Sequence, residues 1–307
     1  MLTSSSSGAL IRRVGYEEAF RLFHEAGLDA MDFPVDDGCY TMEALRSAHV
    51  YGLSEKEIEQ KYTAIRLLSE KHHVKIGQTH SAFGCFEVSD TDEFTEVIKG
   101  DIVATAALGC SVTVVHPVKI PGRIRSRLRK EGRQYNLDFF RKLIPTCLKY
   151  NVRVAIENVI ALDDDGVTIT SSECSDPTEL AELLDTLGNS CFCACVDTGH
   201  FSLTAGATGY SVADSIRILG NRIGVIHVQE TDLKSDTHTV PYTFKDTLDW
   251  DDIFRALREV GYSGIMNLEV MPHLSRYPDC PEMNFEAMRH IGAIARYCAS
   301  MVCGGKR

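Results

Sequence analysis

The sequence predicts a single (β/α)8 barrel, the TIM-barrel class, that spans residues 1–307. Short β-branched or apolar runs alternate with longer segments of helical periodicity, which is typical of parallel βα units. The length fits one enlarged barrel or two domains, but no Pro- or Ser-rich linker divides the chain, and a doubly wound sheet seldom repeats so evenly. The predicted strands are residues 2–6, 28–33, 74–80, 112–116, 152–157, 192–197, 223–228 and 265–270.

Helical periodicity places one helix after each predicted strand. Capping residues support several boundaries. Ser175-Asp176-Pro177 is typical of a helix start with proline in the first turn, and Gly188 and Gly261 are typical of helix ends. The predicted helices are residues 16–26, 55–70, 93–108, 137–150, 177–187, 212–219, 250–260 and 285–301.

Composition indicates a globular protein with a large core, because 44% of the residues are hydrophobic and 24% are charged. A net charge of −11 opposes electrostatic attachment to nucleic acid or to anionic lipid. No run approaches the roughly eighteen apolar residues of a membrane span. No Gly-x-Gly-x-x-Gly or Walker loop follows a strand. We therefore expect no nucleic-acid partner, no membrane partner and no nucleotide cofactor.

The eleven cysteines form no paired framework, and the first residues, MLTSSSSGAL, resemble no secretory leader. We therefore expect a reduced, cytoplasmic protein. Cys191, Cys193 and Cys195 alternate along one predicted strand without the spacing of a structural zinc site, so we expect all three to pack on one strand face in the barrel core.

Seven predicted strands end in a side chain that could bind a metal or exchange a proton. Because the carboxyl ends of all barrel strands open onto one face, these residues are expected to form one site. Carboxylates and an imidazole together suit Mn²⁺, Mg²⁺, Co²⁺ or Zn²⁺, and a divalent ion would relieve the repulsion between clustered carboxylates. The strand-end residues are Asp32, His80, His116, Glu157, Asp197, His227 and Glu269.

Four of the strand ends carry motifs that resemble the xylose-isomerase-like barrels and, more narrowly, the sugar phosphate isomerase/epimerase group. The resemblance extends from Gly15 to about Met271 and includes the segment 236–250 after the seventh predicted strand. The motifs are Ile156-Glu157-Asn158, Val196-Asp197-Thr198-Gly199-His200, Ile226-His227-Val228 and Leu268-Glu269-Val270.

This resemblance implies a metal-dependent sugar isomerase or epimerase that acts on a small ketose, aldose or keto-polyol. Glu157 and Glu269 would remove and return the proton next to the carbonyl, with one divalent metal ion stabilising the enediolate. The implied metal ligands are Glu157, Asp197, His227 and Glu269. The implied substrate-binding residues are His80, His116, His200 and His238, with Gln229, Arg153 and Asn267 as weaker candidates for supporting positions.

The same superfamily contains zinc-dependent apurinic endonucleases with a three-metal site, and this remains the alternative. Every ligand type of that site has a counterpart here. Against it stand the acidic balance of the chain and the acidic residues Asp36, Asp37 and Glu43, where a nuclease would offer basic residues to phosphates. The matching residues are His80, His116, Glu157, Asp197, His200, His227, Asp236, His238 and Glu269.

One basic stretch, residues 119–133, interrupts the acidic chain. It is typical of a solvated helix or lid, but it also suits contact with an anionic substrate or with a partner subunit. The sequence is compatible with a homo-oligomer.

Overall fold

The computed structural model describes residues 1–35, 41–48, 50–83, 90–118, 129–162 and 167–305. Within these ranges, eight parallel strands form one sheet and two short strands form a separate antiparallel pair. The sheet strands are β1 (Thr3–Ser6), β2 (Ala30–Pro34), β3 (Lys75–His80), β4 (Val112–Val115), β5 (Arg153–Glu157), β8 (Phe192–Asp197), β9 (Ile223–His227) and β10 (Met266–Leu268). The antiparallel pair is β6 (Ile160–Leu162) and β7 (Ile169–Ser171).

The sheet closes into a barrel. Its strand order is β10-β1-β2-β3-β4-β5-β8-β9, and the two end strands meet just beyond β9. There the Val228 N–H donates to the Asn267 carbonyl over 2.8 Å, and the Glu269 N–H donates to the Val228 carbonyl over 3.1 Å. The predicted (β/α)8 barrel is thereby confirmed. All eight strands direct their carboxyl ends to one rim.

Helices surround the barrel. Predicted caps are present: the Asp176 side chain accepts from the Thr178 N–H at the start of the helix that begins at Pro177, and Gly188 ends that helix with a φ of 56°. The described helices are α1 (Gly8–Val14), α2 (Tyr16–Glu25), α3 (Met42–Ala48), α4 (Glu55–His72), α5 (Thr91–Ala107), α6 (Arg129–Tyr150), α7 (Pro177–Leu187), α8 (Thr198–Thr208), α9 (Val212–Leu219), α10 (Trp250–Glu259), α11 (Met271–Ser275) and α12 (Pro281–Val302).

The buried apolar residues form two clusters. The larger cluster lies between the sheet and the helices, and the smaller one includes Ala155, Cys193, Cys195 and Val225, on the strand faces opposite the helices. Cys193 and Cys195 therefore pack in the barrel interior as predicted. Cys191 does not share that face: it lies just before β8 and packs in the larger cluster, because strand alternation begins only at Phe192.

Several features of the fold were not predicted. Helix α8 follows Asp197 without a loop, and the β6–β7 hairpin fills part of the connection after β5.

No described helix combines the length and apolar character that a membrane crossing requires. All nine cysteines in the described ranges carry free thiols. Asp36, Asp37 and residues 119–128 of the basic stretch lie outside the described residues, and Glu43 lies on α3.

Candidate active site

Glu157 lies at the centre of the candidate site, at the carboxyl end of β5. Its side chain is 1% exposed, and four histidines surround its two oxygens. His200 Nδ1 and His227 Nδ1 each lie 3.3 Å from Oε1. His116 Nε2 and His80 Nε2 lie 3.1 and 3.5 Å from Oε2. Residues from β3, β5, β9, α8 and the loop after β4 thus meet at one rim of the barrel.

The four predicted metal ligands come together as one group. Glu157, Asp197, His227 and Glu269 each offer a ligand atom, and these atoms all lie within 4.8 Å of one another. Ligands on opposite sides of a first-row divalent ion lie about 4–4.6 Å apart, so this group could close around one ion. Oε2 of Glu157 and Oε2 of Glu269 are buried without a well-aligned hydrogen bond from the described residues, although His116 Nε2 and His227 Nδ1 lie 3.1 and 3.2 Å away. These orphaned oxygens fit a cation.

Asp197 is fixed by both its backbone and its side chain. The Asp197 N–H donates to Asn158 Oδ1 over 2.7 Å, and Asn158 Nδ2 donates to the Asp197 carbonyl over 3.0 Å. The Asp197 carboxylate caps α8 by accepting from the His200 N–H over 2.6 Å. Gln229 Nε2 lies 3.2 Å from both carboxylate oxygens. The carboxylate is therefore held in one orientation at the end of β8.

His227 is oriented by polar residues deeper in the barrel. Its Nδ1 lies 3.2 Å from Glu269 Oε2, while its Nε2 lies 3.5 Å from Asp32 Oδ2 and 2.8 Å from Gln78 Nε2. Asp32 Oδ2 accepts from Gln78 over 3.1 Å and from Asn267 over 3.0 Å. Gln78 and Asp32 thus occupy the Nε2 side of the ring, which leaves Nδ1 to face Glu157 and Glu269.

His200, Asp236 and His238 form a second group of potential ligands. His200 Nε2 and His238 Nε2 lie 3.2 and 3.0 Å from Asp236 Oδ2. The other ring nitrogens face backbone carbonyls: His200 Nδ1 lies 2.8 Å from the Asn158 carbonyl, and His238 Nδ1 lies 3.1 Å from the Glu269 carbonyl. When each Nδ1 carries the proton, both Nε2 lone pairs point toward the same carboxylate oxygen.

His80 and His116 line the site on its β3 and β4 side, with ring centroids 5.0 Å apart. His80 Nδ1 lies 2.9 Å from the Ser81 carbonyl, so its Nε2 faces Glu157. A third group of potential ligands consists of His80, Glu157 and His227. All four histidines predicted to bind substrate therefore lie at the site, and their roles remain predictions.

Burial and the imidazole charges act in opposite directions on the carboxyl groups. Burial would raise the pKa of Glu157, but the charges of His227 and His116 outweigh it and hold that pKa well below the usual value. The same balance lowers the pKa of Glu269. At Asp197 burial dominates and raises the pKa to about 7. Glu157 and Glu269 therefore stay ionised.

The pKa values of the histidines are shifted in the opposite direction from those of Glu157 and Glu269. Burial opposes their protonation, yet the Glu157 carboxylate raises the pKa of His80 to about 9, and Glu269 and Asp236 raise the pKa of His238 to about 9. His227 likewise has a pKa well above its usual value. In the absence of a cation, protonated imidazoles balance the carboxylates.

Two supporting amides lie outside the predicted site residues, and strand alternation could have indicated only the first of them. Gln78 lies two residues before His80 on the same strand, and Asn158 follows Glu157 directly. Gln229 occupies a supporting position as expected. Arg153 does not, because it begins β5 at the opposite end of the barrel.

Solved structures with the same fold include sugar epimerases. The chain superposes on a D-tagatose 3-epimerase-like protein with a TM-score of 0.71 and 17% identity over 99% of each chain. It superposes on the 3-keto-D-glucoside 4-epimerase of E. coli with a TM-score of 0.69 and 14% identity, covering 97% of this chain and 100% of that one. An IolI protein with a bound zinc atom gives a TM-score of 0.66 and 17% identity over 100% and 99% of the two chains.

A search of curated protein sequences gives no significant match. The profile of the family described as "Xylose isomerase-like TIM barrel" matches residues 20–289, which is most of the chain and includes every residue of the candidate site. The chain therefore belongs to the xylose isomerase-like TIM barrel family.

Proposed function

We propose that this chain is a divalent-metal-dependent isomerase or epimerase of a small ketose, aldose or keto-polyol. It would remove a proton from the carbon next to the carbonyl and return it. The observation that carries the proposal is the group formed by Glu157, Asp197, His227 and Glu269, in which two ionised carboxylates approach one metal position from separate strands. The sugar epimerases among the structural neighbours support the same class of reaction.

Glu157 and Glu269 are the proposed acid/base pair. They lie on β5 and just after β10, three strands apart around the barrel, so they can reach a substrate from two sides. Each has one buried oxygen faced by imidazole nitrogens, and each stays ionised because its pKa is lowered, so each offers a carboxylate oxygen to a proton. A bound divalent ion would polarise the substrate carbonyl and acidify the adjacent C–H bond.

The proposed substrate is polyhydroxylated, because the residues around the acid/base pair are polar. His80, His116, His200 and His238 each bring an imidazole to the mouth of the barrel, where ring nitrogens can exchange hydrogen bonds with hydroxyl groups. One of the solved neighbours is a D-psicose 3-epimerase whose structure was determined in the presence of D-fructose. Free ketohexoses are therefore the first substrates to test.

The test is solvent exchange at the carbon next to the carbonyl. Protein saturated with Mn²⁺ or Co²⁺ is incubated in D₂O with D-fructose, D-tagatose or D-allulose, and deuterium is followed by NMR. We expect incorporation by the unmodified protein, its loss in Glu157→Gln and Glu269→Gln, and its retention in Glu182→Gln, which removes a surface carboxylate paired with Arg133 on the outside of the barrel. Exchange that persists in both site variants would refute the acid/base pair.

A phosphodiester hydrolase with a multinuclear metal site is the second candidate. The observation that favours it is the presence of two further ligand groups, one made by His80, Glu157 and His227, the other by His200, Asp236 and His238. Metal analysis of purified protein separates the candidates, since one ion per chain favours the isomerase and three favour the hydrolase. Incision of DNA that contains an abasic site, assayed at low salt, is the complementary measurement.

A further inference from the structure

Glu230 is a buried carboxylate outside the ligand groups, three residues beyond His227. It is 1% exposed, and its backbone forms an antiparallel bridge to Thr239 through hydrogen bonds of 2.8 and 3.1 Å. Its carbonyl also accepts from the hydroxyl groups of Thr237 and Thr239 over 3.1 and 2.7 Å. The backbone of Glu230 thus attaches residues 237–239 to the chain just after β9.

The Glu230 side chain binds residues further along the chain, between 243 and 250. Oε2 accepts from the backbone N–H groups of Thr243 and Phe244 over 2.6 and 3.0 Å. Oε1 accepts from the Thr247 hydroxyl over 2.8 Å and from the Trp250 indole N–H over 3.2 Å. Four neutral donors thus occupy the carboxylate, which leaves it no free role as a base or ligand.

Residues 242–249 have further contacts at their two ends: the Tyr242 ring lies against that of Tyr297, the Thr243 hydroxyl donates to the Val240 carbonyl, and Asp249 accepts from the Asp252 N–H. None of their side chains is buried, and they form no regular secondary structure. Between residues 233 and 246, four residues other than glycine adopt a positive φ: Leu233, His238, Tyr242 and Asp246. Such conformations persist only where surrounding contacts impose them. Hydrogen bonds to the Glu230 carboxylate from the adjacent Thr243 and Thr247 can impose the conformations of Tyr242 and Asp246. The N–H groups of Leu233 and His238 are held instead by Thr231 Oγ1 and Gln229 Oε1.

The connection between β9 and α10, residues 228–249, carries two residues of the candidate site. Asp236 and His238 lie between the end of β9 and the bridge at Thr239, and the His238 N–H donates to Gln229 Oε1 over 3.1 Å. A shift of the segment would therefore move the His238 ring away from Glu269, whose Oε2 lies 3.5 Å from Nδ1.

We propose that Glu230 is a positioning residue: its carboxylate fastens residues 243–250 and its backbone fastens Thr237 and Thr239. Together these bonds set where Asp236 and His238 stand at the mouth of the barrel. The effect of Glu230 on substrate binding rests on the proposed function. Its effect on the conformation of residues 237–250 does not, because that conformation can be observed without turnover.

The test compares Glu230→Gln with Glu230→Asp and with Thr247→Val, which removes one donor while keeping the side-chain shape. Trp250 is the single tryptophan of the chain, so its fluorescence reports directly on this carboxylate. We expect a red-shifted, more readily quenched emission in Glu230→Gln. We also expect amide hydrogen exchange within 237–250 to be at least about tenfold faster, since each hydrogen bond to a charged acceptor is worth about one decade or more. Glu230→Asp and Thr247→Val should give smaller changes in the same amides.

In the active enzyme, Glu230→Gln should raise KM about tenfold or more, with a smaller effect on kcat and on Mn²⁺ affinity, because the segment contributes to the mouth and not to the four-ligand group. Unchanged exchange within 237–250, or faster exchange spread evenly over the barrel, would overturn the positioning role. If the unmodified protein shows no isomerase activity, the proposed function fails, while fluorescence and amide exchange still decide the role of Glu230.

Discussion

Replacing Gly199 with alanine should weaken metal binding without touching a metal ligand. Gly199 is the second residue of α8, two positions after Asp197. An added Cβ would lie 2.4 Å from Gln229 Cδ, 2.6 Å from its Oε1 and 2.8 Å from its Nε2. These are the ends of a side chain, so the Gln229 carboxamide must move and α8 can stay in place.

The cost can be worked from the contacts that Gln229 would lose. Its Nε2 lies 3.2 Å from both oxygens of Asp197 and donates to Asp236 over 3.0 Å. A hydrogen bond to a charged group is worth about 1.5–3 kcal/mol, so the loss of one bond to Asp197 corresponds to about 10- to 150-fold in metal affinity. Overpacking would cost a further roughly 1–3 kcal/mol of folding stability.

Calorimetric titration with Mn²⁺ at neutral pH measures the effect, and Gly206→Ala is the matched control. Gly206 lies on the same helix with nothing within 4 Å of an added Cβ, so that variant should bind Mn²⁺ normally. It should also gain about 0.5–1 kcal/mol of stability from helix propensity. A folded Gly199→Ala protein that binds Mn²⁺ as tightly as the unmodified protein would refute the claim that Gln229 holds Asp197 in its binding orientation.

Three further predictions concern other parts of the chain. Acidification should weaken metal binding, because the pKa of His227 is raised above its usual value and the ring must lose its proton to bind; equal affinities at acidic and alkaline pH would contradict this. Phe140→Ala should lower the free energy of unfolding in urea by about 3–5 kcal/mol, because Phe140 is fully buried with its ring centroid 5.0 Å from that of Phe139. Ser54→Ala should cost about 1 kcal/mol in the same assay, because Ser54 forms a capping box with Glu57.

The barrel and the convergence of its strand-end residues could be predicted because both follow from local patterns. Alternating βα periodicity defines the strands, and parallel strands direct their ends to one rim. Glu157 and His227 end the strands predicted for them or lie one residue from the predicted end. The residue types at the strand ends also predict a divalent metal, whereas the choice of Glu157, Asp197, His227 and Glu269 as its ligands follows from the resemblance.

The parts that escaped prediction depend on contacts between distant residues. Helix α8 has two glycines among its residues and little amphipathic pattern, and it begins where it does because Asp197 caps it. The network of Gln78 with Asp32 joins two strands 46 residues apart. The contacts of Glu230 depend on the path of an irregular segment that no periodicity describes.

The charge arrangement of the site links metal binding to proton release. Within the described residues, every ion-pair partner of Glu157, Asp197, Asp236 and Glu269 is a histidine. No Lys or Arg of the described ranges pairs with these carboxylates, so among those residues imidazolium groups supply the counter-charge when no metal is bound. A divalent ion held by Glu157, Asp197, His227 and Glu269 would supply that counter-charge instead, and the imidazoles around it would then lose their protons. If the acidic residues at this rim hold a cation as proposed, part of the −11 net charge is neutralised when the site is filled.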